Sequence, residues 1–125
     1  MNIDNVNKYN VILDTDTNNE VDDQFALAYL LKSKDVFNIS AITIAPFRTE
    51  KWQENVSDSI DESYNETCKI FDLLGLKDKS IIYKGSRDYL KNGYNETNPA
   101  INKIIEIANK NKKTYILAIG CLTNI

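Results

Sequence analysis

The chain of 125 residues predicts an α/β fold, a parallel doubly wound (Rossmann-like) sheet of about four strands and three helices. Short β-branched and apolar runs alternate along it with segments whose apolar residues recur every three or four positions. Such alternation builds βαβ units. No repeat or low-complexity stretch competes with that reading.

The first strand is expected at Asn10 to Leu13, where Val11-Ile12-Leu13 has the composition of a buried parallel strand. An acidic loop follows, then a helix from about Val21 to Lys32. Phe37 to Ala45 reads as the second strand, with Ile39, Ala41, Ile42, Thr43 and Ile44 as a buried run ending at Pro46. Ile60, Tyr64, Cys68, Phe71 and Leu74 mark a long second helix, and Gly75 stops it. Ile81 to Tyr83 makes a short third strand closed by Gly85. Asn98 caps a third helix with Pro99 in its first turn, and Ile101, Ile104, Ile105 and Ala108 are expected to line its buried face. Tyr115 to Ile119 is the fourth strand, ending at Gly120. The longer connections, residues 47–57 and 86–98, both follow strands, so both are placed to form a cleft.

Composition bounds the possibilities. The 42% hydrophobic and 26% charged fractions suit one globular domain, and no apolar stretch approaches the roughly 18 residues that a membrane span requires. Met1 to Lys8 is polar and unlike a signal peptide, so a cytoplasmic location is expected. The net charge of −3 comes without the basic patch of a nucleic-acid surface; Lys110, Lys112 and Lys113 are read as solvating a helix end. Cys68 and Cys121 are too far apart in sequence for a CxxC site, and Cys68 reads as a reduced core thiol.

The chemistry concentrates in Asp14-Thr15-Asp16-Thr17-Asn18-Asn19-Glu20-Val21-Asp22-Asp23. Turn and cap residues account for one or two carboxylates at a strand-loop-helix junction, but hardly for four Asp and a Glu. Carboxylates so close repel one another, and a bound cation offsets that repulsion. Oxygen donors alone, in a chain without histidine, point to calcium or magnesium over zinc or copper.

At these residues the chain resembles the inosine-uridine-preferring nucleoside hydrolases. Val11-Ile12-Leu13-Asp14-Thr15-Asp16 and Asp22-Asp23-Gln24-Phe25-Ala26-Leu27 are similar to the two halves of the family's N-terminal signature, and Ala118-Ile119-Gly120-Cys121-Leu122-Thr123-Asn124 to its Gly-Pro-Leu-Thr-Asn turn. The resemblance implies the N-terminal part of the nucleoside hydrolase fold and calcium-dependent cleavage of the N-glycosidic bond of ribonucleosides, a salvage reaction with a small-molecule substrate. It also implies roles. Asp16 would be general base and metal ligand, Asp23 a bidentate metal ligand, Asp22 a partner of the ribose, and the Ile119 carbonyl a further metal ligand. Asp14 would steady the loop, while Glu20 and Asn19 would be either supporting groups or caps.

Departures accompany the match. Asn18-Asn19-Glu20 stands where a Pro-Gly is usual, Pro46 or Phe47 replaces a ribose-binding Asn, and Cys121 replaces a Pro; with Glu62-Ser63-Tyr64, these resemble a less characterised bacterial branch. The family's later Asp ligand, its neighbouring His and its other ribose-binding residues have no counterpart here. Residues 1–125 are therefore expected to be a single N-terminal segment of a longer hydrolase, inactive alone, with a homo-oligomer or a complementary C-terminal chain as its partner.

Other readings remain open. One is an inactive remnant or the partner subunit of a split hydrolase. Another is a haloacid dehalogenase-like phosphatase, in which Asp14 would be the nucleophile and magnesium the cofactor. An EF-hand fails, because a loop starting at Asp14 would place Asn19 at the glycine position and Phe25 at the twelfth. Phe47, Trp52 and Tyr64 could stack on a base, but such aromatics more often pack a core.

Overall fold

The computed structural model describes residues 8–49, 55–93, 96–110 and 113–125. The strands are β1 (Tyr9–Thr15), β2 (Phe37–Ile44), β3 (Ile82–Lys84) and β4 (Tyr115–Ala118), and the helices are α1 (Val21–Lys32), α2 (Val56–Leu73) and α3 (Pro99–Lys110). The sheet order is β3-β2-β1-β4 with every pair parallel. All four strands therefore point their carboxyl ends at one edge. This is the expected fold class.

Two layers of helix cover the sheet. Val11 and Leu13 of β1 and Ile42 and Ile44 of β2 pack with Leu27, Leu30 and Leu31 of α1 and with Ile60, Ile70 and Phe71 of α2. On the other face Ile12 and Ala41 meet Ile104 and Ile107 of α3. A one-residue irregularity separates these faces in β2: Val11 pairs with Ile39 but Ile12 with Ala41, so Ser40 is extra.

Local chemistry explains the boundaries. The α1 sequence is rich in Ala and Leu, strong helix formers, and its Asp22 and Asp23 sit at the favourable end of the macrodipole. The α2 helix ends where Gly75 turns left-handed at φ 70°, a conformation that costs a side chain 1–2 kcal/mol in rough terms. Cys68 is a free thiol partly buried against the core.

Three expectations need correction. β1 runs two residues past Leu13, because Asp14 is paired with both β2 and β4 and Thr15 with β2: the Asp14 carbonyl accepts from Ile119 N–H and the Thr15 carbonyl from Ala45 N–H, each at 2.9 Å. Ladder bonding outweighs the poor strand propensity of Asp. β3 lies one residue later than expected. On α3, Ala100, Ile104 and Ile107 are buried, whereas Ile105 is 54% exposed and Ala108 is exposed. The cap sets that rotation. Asn98 is itself buried, with its amide on Ser86 Oγ at 3.2 Å and its carbonyl oxygen accepting Ile101 N–H, which turns Ala100 inward.

The outer surface is less complete than the centre. Tyr115, Ile116 and Leu117 of β4 are 37–41% exposed, although they form a continuous apolar run at a sheet edge. Among the described residues no helix is long and apolar enough to cross a membrane. Residues 1–7, Trp52 and Lys112, which figure in the sequence reading, lie outside the described residues.

The two faces of α1 should respond differently to truncation. Leu27→Ala, at a fully buried position, is expected to cost about 2–5 kcal/mol in urea unfolding. Phe25→Ala, at a side chain 71% exposed, should cost less than about 1 kcal/mol. Equal losses would contradict this layering.

Candidate metal and substrate site

The carboxyl edge of β1 delivers Asp14, Asp16 and, across a tight loop, Asp23. The loop is closed by Asn19, whose N–H bonds the Asp16 carbonyl at 2.7 Å and whose amide reaches Asp16 Oδ2 at 3.1 Å. Asn19 thus steadies Asp16. Asp23 reaches back from the first turn of α1, and its Oδ2 accepts the Thr15 hydroxyl at 2.6 Å and Asp16 N–H at 3.1 Å. These bonds bring the two carboxyl groups together. Burial pushes the Asp16 carboxyl up to about 7, and hydrogen bonding and repulsion with Asp23 push the same way.

A line of hydroxyls on α2 holds this loop from behind. Ser59, Ser63 and Thr67 are all buried and recur every four residues, so they share one helix face. Ser63 Oγ accepts Asn18 N–H at 3.2 Å, Thr67 Oγ1 bonds Thr17 Oγ1 at 2.9 Å, and Ser59 Oγ accepts Phe47 N–H at 3.0 Å. The loops after β1 and β2 are thereby fixed to the same helix. The four-residue spacing of small hydroxyls was the available signal in the sequence, overshadowed by the apolar stripe beside it.

The other wall comes from the turn after β4. Asn124 is buried; its amide nitrogen donates to Asp14 Oδ1 and to the Ile44 carbonyl, both at 3.0 Å, while its Oδ1 accepts Ser86 N–H at 2.8 Å. One side chain so joins the ends of β1, β2 and β3. Space for it depends on Gly85, where a Cβ would overlap the Ile44 carbonyl oxygen and the Asn124 amide. Gly120 lies near Asp16 with a little more room: a Cβ there would lie 3.2 Å from Asp16 N and 3.3 Å from its carboxyl carbon. Ile119 precedes this contact, and Cys121 follows it with its thiol on the Pro46 carbonyl at 2.9 Å.

The expected site residues are therefore distributed unequally. Asp16 and Asp23 converge, the Gly120 backbone lies beside Asp16, and Ile119 is tied through its N–H to the Asp14 carbonyl. Asp22 stands exposed on the first turn of α1. Asp14 is fully buried, bonded to Thr43 Oγ1 and Asn124, and its Oδ2 has no hydrogen-bond partner among the described residues. Burial pushes its carboxyl up to about 6 despite those two bonds. Phe47 is buried, and Tyr64 packs against the core with Lys84 Nζ 4.6 Å from its ring centre, so both act in packing.

Carboxylate and backbone oxygens suit calcium or magnesium in kind. They fall short in number, since among the described residues no three acidic or thiol side chains gather into a metal-binding group. Compared with protein-family models, curated proteins and solved structures, the chain has no match.

Two outcomes follow from this geometry. Asn124→Ala removes three bonds to buried groups and should cost about 2–4 kcal/mol, read from the urea midpoint. For the raised carboxyls of Asp14 and Asp16 the protonated form is favoured in the folded state, so their contribution is full below about pH 4 and lost as pH rises through about 6 and 7. In chelator the protein should therefore be roughly 1–3 kcal/mol more stable at pH 5 than at pH 8. Asp14→Asn should flatten that slope, and a wild-type slope of opposite sign would contradict the assignment.

Proposed function

We propose that this chain supplies the N-terminal wall of a calcium-dependent N-ribosyl hydrolase site, acting on nucleosides. The supporting observation is the convergence of Asp16 and Asp23 at the carboxyl edge of β1, held by Thr15, Asn19 and the α2 hydroxyls. In open α/β sheets ligands bind at that edge. The mutual repulsion of the two carboxyls also favours a cation between them. Asp16, Asp23 and the Ile119 carbonyl would hold calcium, or magnesium in its place, and other oxygen donors would fill the shell.

Cleavage of an N-glycosidic bond passes through an oxocarbenium-like state, so a water must be positioned beneath the sugar and lose a proton. Bound calcium would grip the sugar hydroxyls and lower the pKa of that water. Asp16 would accept the proton. Asn19 fixes its carboxylate, and Asp23 is anchored separately through Thr15, so the two groups keep distinct tasks. Asp22, exposed one residue earlier, is free to reach a ribose hydroxyl. The group that would protonate a leaving base is not among these residues. Fully buried Asp14 is a poor candidate for a phosphoryl-accepting nucleophile, which weighs against the phosphatase reading.

A second reading, a non-catalytic partner subunit or remnant, draws support from the exposed apolar run of β4. Calorimetry separates these possibilities. Calcium is expected to bind the chain weakly, with a Kd of roughly 0.1–1 mM, and Asp16→Asn or Asp23→Asn should abolish the heat. No calcium response would remove the metal site. The chain alone should release no free base from inosine or uridine; release would contradict the partial-site assignment.

A further inference from the structure

The loops after β2 and β3 carry a feature of opposite charge to the acidic cluster. Arg48, four residues beyond β2, and Tyr89, five beyond β3, meet with the guanidinium carbon 5.9 Å from the ring centre. Lys91 Nζ lies 5.4 Å from the same ring. Two cations therefore gather on one aromatic side chain. Asp88 offsets part of that charge, but its Oδ1 is occupied by Tyr89 N–H and the Asn92 amide, each at 2.7 Å. The balance over Arg48, Lys91 and Asp88 is one positive charge.

This cluster stands on the catalytic edge, since β2 and β3 run parallel to β1. Its base is firmly held. Ser86 N–H is tied to Asn124, and Arg87 reaches both Asp61 oxygens, at 3.0 and 3.3 Å. Arg48 follows Pro46, whose carbonyl accepts the Cys121 thiol next to Gly120 and Asp16. The Tyr89 phenol is raised above its ordinary value, chiefly by burial, while the Arg48 guanidinium pulls the other way.

The edge is thus bipolar, with carboxylates after β1 and an aromatic ring flanked by cations after β2 and β3. A neutral nucleoside gives Arg48 and Lys91 nothing to neutralise. A cation beside an aromatic ring at a sugar-cleaving edge suits a ligand with both a flat base and an anion. We propose that Arg48, Tyr89 and Lys91 form a subsite for the phosphate-bearing end of a nucleotide, making a nucleoside monophosphate the preferred ligand. The inference rests on the reading of the acidic cluster as an N-ribosyl hydrolase site and changes its substrate class.

Magnetic resonance titration of the isotope-labelled chain tests it, with adenosine monophosphate, adenosine and inorganic phosphate as probes in calcium buffer. The monophosphate is expected to bind about tenfold more tightly than adenosine, as one charge-assisted contact provides, and to shift the Tyr89 ring signals. The Arg48→Gln/Lys91→Gln double variant should erase that difference while Tyr89→Leu weakens the monophosphate. Both cations are exposed, so an unchanged melting temperature is expected in the double variant. Equal binding of adenosine and its monophosphate, binding of inorganic phosphate as tight as the monophosphate, or no shifts at all would overturn the subsite. Calcium titration of the same sample reads the other half: a lost calcium response with the monophosphate preference kept removes only the metal site, and the reverse pattern removes only the subsite.

Discussion

The buried amide of Asn124 is the contact on which the functional edge depends. Four parallel strands end at that edge, and beyond the ladder the chain ends of three of them need other partners. Asn124 offers a donor pair and an acceptor in a fixed plane, and it places them on Asp14, the Ile44 carbonyl and Ser86 N–H. Because the amide is buried, each of these bonds replaces water that cannot enter, and losing one leaves an unpaired polar group in the interior. Glycine at position 85 is the steric condition for this arrangement. Asp14, the first acid of the cluster, is consequently part of the frame rather than of the reactive surface.

On that frame the Asp16 and Asp23 carboxylates are held by short-range bonds from three directions. Thr15 and Asp16 N–H fix Asp23 from the strand, Asn19 fixes Asp16 from the loop, and the Ser63 and Thr67 hydroxyls of α2 fix the residues between them. Preorganisation of this kind opposes the tendency of like charges to swing apart. Burial first, and the neighbouring Asp23 carboxyl second, raise the affinity of Asp16 for a proton. A proton and a divalent cation are in general alternative remedies for repulsion of this kind.

Much of the architecture was legible because it rests on period and composition. The α1 bounds and the order of strands and helices follow from runs such as Val11-Ile12-Leu13 and from the stop at Gly75, where local preference and tertiary structure agree. What escaped depends on contacts distant in sequence. The two extra residues of β1 are strand because β2 flanks both and β4 flanks Asp14, and the rotation of α3 is set by Asn98 resting on Ser86. Asp16 and Asp23 stood out as clustered acids and Asp14 was expected to steady the loop, whereas its partners Thr43 and Asn124 were out of reach of any local pattern. Arg48 and Tyr89 lie 41 positions apart, and no local pattern joins them.

The extra residue at Ser40 has an evolutionary consequence. Upstream of it β2 is in one phase with β1, and downstream it is in the other, so that Leu13 faces Ile42 and Asp14 faces Thr43. Side chains in a strand alternate, and a single deletion there would exchange the two faces, setting Thr43 among the apolar residues under α1 and carrying Ile42 to the side of α3. Many residue types fit position 40, which is only partly buried. Lineages carrying this fold should therefore drift freely in the identity of that residue and scarcely at all in the length of the segment.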